Sequence, residues 1–158
     1  MKNIGFLVDS LGQSQLSYYL VENLNKWIGN QKDATIFFEN VGLPISFPKF
    51  AQMNIVEMAS FKGPLVATNI STARKLMFAA TSPHLYFYVW DLEFLRGRQR
   101  DYMYHLEVFM NPRLKIICRN EDHKIAVENA FNIKVLGCVE NFAMDQFQKL
   151  LANEAEMN

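Results

Sequence analysis

The segment LYFYVW, residues 85–90, is followed directly by Asp91. Six apolar and aromatic residues in a row are too few for a helix, and they show no alternation of inner and outer faces. They read as a strand buried on both sides, the type found at the centre of a parallel sheet covered by helices. Asp91, with Glu93 two residues on, marks the point where that strand leaves the core.

Working outward, shorter runs of the same kind occur at residues 4–8, 34–38, 65–67, 114–118 and 134–139, with a weaker one at 55–58. Helical spacing of apolar residues fills the intervals at 15–28, 71–80, 92–109 and 120–131, and a last helix covers about 142–155. Gly29 and Asn30 are expected to end the first helix, and Gly97 weakens the third. Strands alternating with helices require right-handed crossovers, hence an α/β fold with a mainly parallel sheet. The expectation is one Rossmann-like, doubly wound, three-layer α/β/α domain spanning residues 1–158.

Composition agrees with a globular chain: 158 residues, 50% hydrophobic and 20% charged. A domain of this size buries roughly two-thirds of the surface its unfolded chain exposes. Sixteen basic and sixteen acidic side chains cancel, so no global field favours nucleic acid or an anionic membrane. Cys118 and Cys138 lack metal-ligand spacing and read as buried free thiols of a reducing compartment. The opening MKNIGFLVDS is too short an apolar run for a signal peptide, and no segment reaches the about 20 apolar residues of a membrane span. A cytoplasmic location is expected.

In an open α/β sheet, ligands bind beyond the carboxyl ends of the strands. Those positions hold Asp9-Ser10, Glu39-Asn40, Thr68-Asn69, Asp91 with Glu93, Arg119-Asn120 and Glu140-Asn141, a polar rim. Helix capping accounts for Asn120, and extends to Ser10 and Asn69. Two carboxylates after the most buried strand must face solvent, a partner or a ligand. The first loop, DSLGQSQ, has a single glycine and is neither a dinucleotide fingerprint nor a phosphate loop, although the amides of Gly12, Gln13 and Ser14 are able to meet a phosphate or a sugar hydroxyl. No cofactor or metal is expected. His84, His105 and His123 are scattered and read as surface or helix-face residues, and no histidine is placed to activate Ser10 or Ser14. RGRQR, residues 96–100, reads as a solvated helical face and only secondarily as a phosphate or nucleic-acid contact.

Two stretches, VATNISTARKLMFAATSPHLYFYVWDLEF (66–94) and CRNEDHKIAVENAFNIKVLGCVENF (118–142), together resemble the amino-terminal Rossmann-like half of glycosyltransferases with the two-domain GT-B architecture. The resemblance implies a cleft at Arg119, Asn120, Glu121, Asp122, Glu140 and Asn141, with the loop at 9–15 near donor phosphates, where only Gly12 represents the family's glycines. It implies Asp9 or Asp91 as base toward an acceptor hydroxyl and Arg119 as a neutraliser of phosphate. Ser10, Gly12, Gln13, Ser14, Thr68, Asn69 and Glu93 complete the expected ligand-binding set. The chain ends about one helix after Asn141, so the half that makes most nucleotide-sugar contacts is expected from another subunit. Three readings follow: a transferase completed by a second subunit, a module binding a nucleotide sugar or glycan, or a structural protein that self-associates. For the last, Phe47, Phe50, Met53 and Phe61 are the candidate apolar patch.

Overall fold

A computed structural model describes residues 3–29 and 32–157, with side chains as far as Glu154; Asn30 lies outside the described residues. Seven strands form one sheet: β1 (Asn3–Ser10), β2 (Asp33–Asn40), β3 (Ala51–Asn54), β4 (Leu65–Ala67), β5 (Leu85–Val89), β6 (Leu114–Cys118) and β7 (Gly137–Cys138). Their order is β3-β2-β1-β4-β5-β6-β7, and every neighbouring pair is parallel. All carboxyl ends therefore lie along one edge, and the order reverses between β1 and β4.

Five helices cover the sheet: α1 (Gln15–Trp27), α2 (Ile70–Ala79), α3 (Tyr102–Phe109), α4 (Glu121–Phe131) and α5 (Met144–Met157). Strand β5 shows why two layers are needed. Tyr86 and Tyr88 point into the core beneath α1 and α5, with Leu20, Leu24 and Phe147, while Leu85, Phe87 and Val89 point into the core beneath α2, α3 and α4. All five of its residues are buried, as the unbroken apolar run demands. No described helix is long and apolar enough to cross a membrane.

Four expectations need correction. Residues 55–58 form part of a 3₁₀ turn, Ile55–Ser60, and the strand lies before them at Ala51–Asn54. Ile55 and Met58 are buried three residues apart, which is helical spacing, and Asn54 Oδ1 accepts from the Val56 amide to start the turn. The 92–109 helix is broken into 3₁₀ turns at Glu93–Leu95 and Gln99–Asp101 before α3, so Arg96 and Arg98 stand on exposed turns and not on a helical face. Gly97 sits where a Cβ would come within 2.7 Å of His105 Cε1, and this close approach bends the chain around the imidazole. The 134–139 strand shortens to Gly137–Cys138, and Cys138 is half-buried, not buried. Of the apolar patch, Phe50 is buried in the core and Phe61 packs edge-on to Phe37, leaving Phe47 and Met53 exposed.

Candidate functional site

The tips of β1, β4 and β5 meet at the reversal point. Asn69 caps α2, its Oδ1 accepting from the Thr72 amide, and its Nδ2 donates to Asp9 Oδ2 at 2.6 Å. Glu93 Oε1 accepts from the Ile70 amide in the first turn of α2. Burial pushes the Glu93 carboxyl above the usual carboxylate range; the Ile70 amide opposes this and the Asp9 charge adds to it. Asp9 Oδ1 is buried and accepts no hydrogen bond from a described residue. Trp27 Nε1 and His123 Nδ1 are likewise unpartnered among the described residues, but neither lies at the point where the strand order reverses. Thr68 is buried, donates to the Leu7 carbonyl at 2.7 Å, and ties β4 to β1.

Beside this cluster, on the α2–α3 side, opens a cleft of about 950 Å³. Its apolar lining includes Ile55, Met58, Ile70 and Phe78; Glu93 and His105 supply titratable groups. Its cations are tied to carboxylates on neighbouring elements. Arg74 donates to Glu107 at 2.9 Å while lying over the Tyr104 ring, Lys75 pairs with Glu39, and Arg96 pairs with Asp91. Asp91 is half exposed in that pair, and ion pairs of this kind contribute little to stability. His105, expected on a surface or helix face, is buried against Gly97; burial lowers its pKa and Asp101 opposes the shift. A signal existed, since His105 falls three and four residues before the core residues Val108 and Phe109.

Two amides of the first loop, those of Gly12 and Ser14, are spent locally. Ser10 Oγ accepts from the Gly12 amide, and Ser14 caps α1 in a reciprocal pairing with Ser17 whose hydroxyl takes the Ser14 amide. Gln13 is exposed. A Cβ on Gly42 would lie 2.7 Å from Gly12 Cα, so this pair of glycines lets the β1 and β2 loops touch.

The remaining residues of the rim form a second cluster. Arg119 Nε donates to Asn141 Oδ1 at 2.9 Å, and its guanidinium carbon lies 3.9 Å from the centroid of the Trp90 ring. Asn120 caps α4 by accepting from the His123 amide. Glu140 is exposed and its amide donates to Gln146. Asn141 and Phe142 both have positive φ, 43° and 62°. Strain of this kind costs on the order of 1–3 kcal/mol per residue and persists only where the surroundings impose it. Here Asn23 donates to the Asn141 carbonyl, and Phe142 is buried against Tyr88 and stacked on Trp90. The two thiols of β6 and β7 are inert at neutral pH: burial first, and each other's charge among the further causes, raises Cys118 to about 12, while burial and the Glu121 carboxylate raise Cys138 to about 11.

The structure thus divides the expected site residues. Asp9, Asn69 and Glu93 converge, with Thr68 beneath them; Arg119, Asn120, Glu140 and Asn141 form another group; Ser10, Gly12, Gln13 and Ser14 belong to a self-bonded loop; Asp91 stands at the outer rim. No protein-family model, curated protein or solved structure matches the chain.

Proposed function

We propose that this domain is a glycosyltransferase-like module that binds a nucleotide sugar or a glycan acceptor in the cleft lined by Glu93, beside the Asp9–Asn69 pair, with a second subunit closing over it for transfer. The observation that carries the reading is the Asp9 carboxylate: one oxygen is clamped by Asn69 at the point of strand-order reversal, and the other has no partner among the described residues. In the proposed complex the loop after β1 opens this oxygen, closed to solvent here, to a ligand hydroxyl, and the apolar lining of the neighbouring cleft suits the flat face of a sugar ring or base. In this reading Asp9, rather than the half-exposed Asp91, accepts the proton of the acceptor hydroxyl. Glu93, whose carboxyl burial pushes above the usual carboxylate range, lines the cleft and contacts the same ligand.

A thermal-shift panel of nucleotide sugars, nucleotides and simple glycans tests this reading. One class is expected to raise Tm, because a ligand at a hundredfold its Kd stabilises the folded state by about 2.7 kcal/mol. Asp9→Asn is expected to abolish that rise. A flat response across the panel would reject the reading.

A second reading, a protein interface, has its own support. Val41, Leu43, Ile45 and Phe47 alternate along the segment between β2 and β3, and all are exposed, Val41 by 90% and Leu43 by 81%. Such a row is unusual on a surface with no partner. Light scattering separates the two: a concentration-dependent rise in mass that Leu43→Ser with Phe47→Ser removes favours the interface.

A further inference from the structure

The cluster around Arg119 has a feature that its neighbours lack. Arg74, Arg96 and Arg100 each lie within ion-pair distance of a carboxylate, Arg98 is exposed on a turn, and Arg113 spends both terminal nitrogens on the Met77 and Ala80 carbonyls at the end of α2. Arg119 is half-buried, makes no ion pair with a described residue, and among the described residues only its Nε is engaged in a side-chain hydrogen bond. Its position is held twice over, by the Trp90 ring under its Cζ and by Asn141 at its Nε. Trp90 is itself held by Phe142, with centroids 5.3 Å apart and planes 15° from parallel. Asn141 is held in turn in its left-handed conformation by Asn23. The fork of the guanidinium therefore stands pre-oriented with both terminal nitrogens unspent, over a hollow of about 500 Å³ that Asn120, Glu140, Asn141 and Gln146 also line.

We infer that Arg119, held over the Trp90 ring and aimed by Asn141, forms a second binding site that takes a phosphoryl or carboxylate group through its two terminal nitrogens. Planar, two-point recognition of an oxyanion is what a fixed guanidinium provides and a lysine does not. Two carboxylates border the hollow and work against an anion. Glu121 is engaged by Lys124 at 3.2 Å, which offsets part of its charge, and Glu140 is exposed and screened by solvent. The site is separate from the cleft at Asp9. Trp90 belongs to the core beneath α1 and α5, whereas Leu92 and Phe94, on either side of Glu93, pack beneath α2 and α3. The inference stands whether or not the cleft binds a sugar.

Isothermal titration of the full chain with pyrophosphate and with malonate, at low ionic strength, tests it. At least one anion is expected to bind saturably, and the stronger of the two names the ligand class as phosphorylated or carboxylated. Arg119→Gln is expected to weaken that binding at least tenfold and Arg119→Lys severalfold, because the lysine keeps the charge and loses the fork. Asp9→Asn is expected to leave it unchanged, which separates this site from the proposed sugar cleft. A parallel NMR titration of the wild-type chain needs no variant to fold: the Trp90 indole resonance should move while that of Trp27 stays in place. The inference is overturned if neither anion binds at about 10 mM, if Arg119→Gln binds as tightly as the wild type, or if the Trp90 resonance stays fixed at saturation.

Discussion

The two edges of the sheet use buried polar groups in opposite ways. At the amino edge, the Glu154 carboxylate is buried on α5 and committed to the Tyr86 phenol and the Lys115 ammonium. Its charges are matched, and the result is a pin that fastens α5 to β5 and β6. At the carboxyl edge, Asp9 keeps a buried oxygen without a partner, Arg119 keeps two terminal nitrogens unspent, and Asn141 and Phe142 hold left-handed backbone. Groups satisfied within the chain serve the fold. The unpartnered Asp9 oxygen and Arg119 nitrogens at the carboxyl edge are the groups assigned to ligands.

This contrast predicts unequal responses to substitution. The largest belongs to the amino edge: Glu154→Ala should cost about 3 kcal/mol in urea unfolding, because it strands a buried phenol and unpairs Lys115, and should leave ligand response at the other edge intact. Tyr88→Phe removes a buried hydroxyl that donates to the Val139 carbonyl at 2.6 Å, just before the strained turn. It should cost about 1 kcal/mol in the same measurement. Asp9→Asn should change stability by less than about 1 kcal/mol, since the oxygen that holds Asn69 is retained and an unpaired charge is lost. A cost for Asp9→Asn as large as that of Glu154→Ala would erase the distinction between the edges.

The smallest effect concerns pH. The native pKa of Glu93 lies above its unfolded value, so its contribution to stability is full below the ordinary glutamate pKa of about 4.3 and is lost as pH rises through the native value. The stability of Glu93→Gln relative to wild type should therefore increase from acidic to neutral pH. Denaturant midpoints of the two proteins across that range measure it, and parallel profiles would mean that Glu93 is not desolvated.

Much of this architecture is legible in local sequence, because burial on both faces leaves few polar residues inside the central strands. LYFYVW could only be central, and the polar residues after each apolar run fall along one edge because every strand is parallel. The failures have physical causes as well. β3 is an edge strand whose four residues are all exposed, so it carries no apolar signal, while Ile55 and Met58 beside it are buried in a turn and imitate one. Residues 92–101 have helical spacing, but packing of Gly97 on His105 overrides it. The pairing of Asn69 with Asp9 spans 60 residues and that of Arg119 with Asn141 spans 22, and no local pattern separates one cluster from the other. The apolar faces on which Arg119 and Glu93 rest make that division, and it emerges only when the strands are assembled.

The most direct test of the central claim is a residue-resolved NMR titration of the full chain with the nucleotide sugar or glycan that raises Tm most. The account predicts amide shifts concentrated at the carboxyl ends of β1, β4 and β5, around Asp9, Asn69, Ile70 and Glu93, with Gly63, Leu65 and His84 at the amino edge unmoved. Shifts centred on the amino edge, or spread evenly over the domain at saturation, would contradict it.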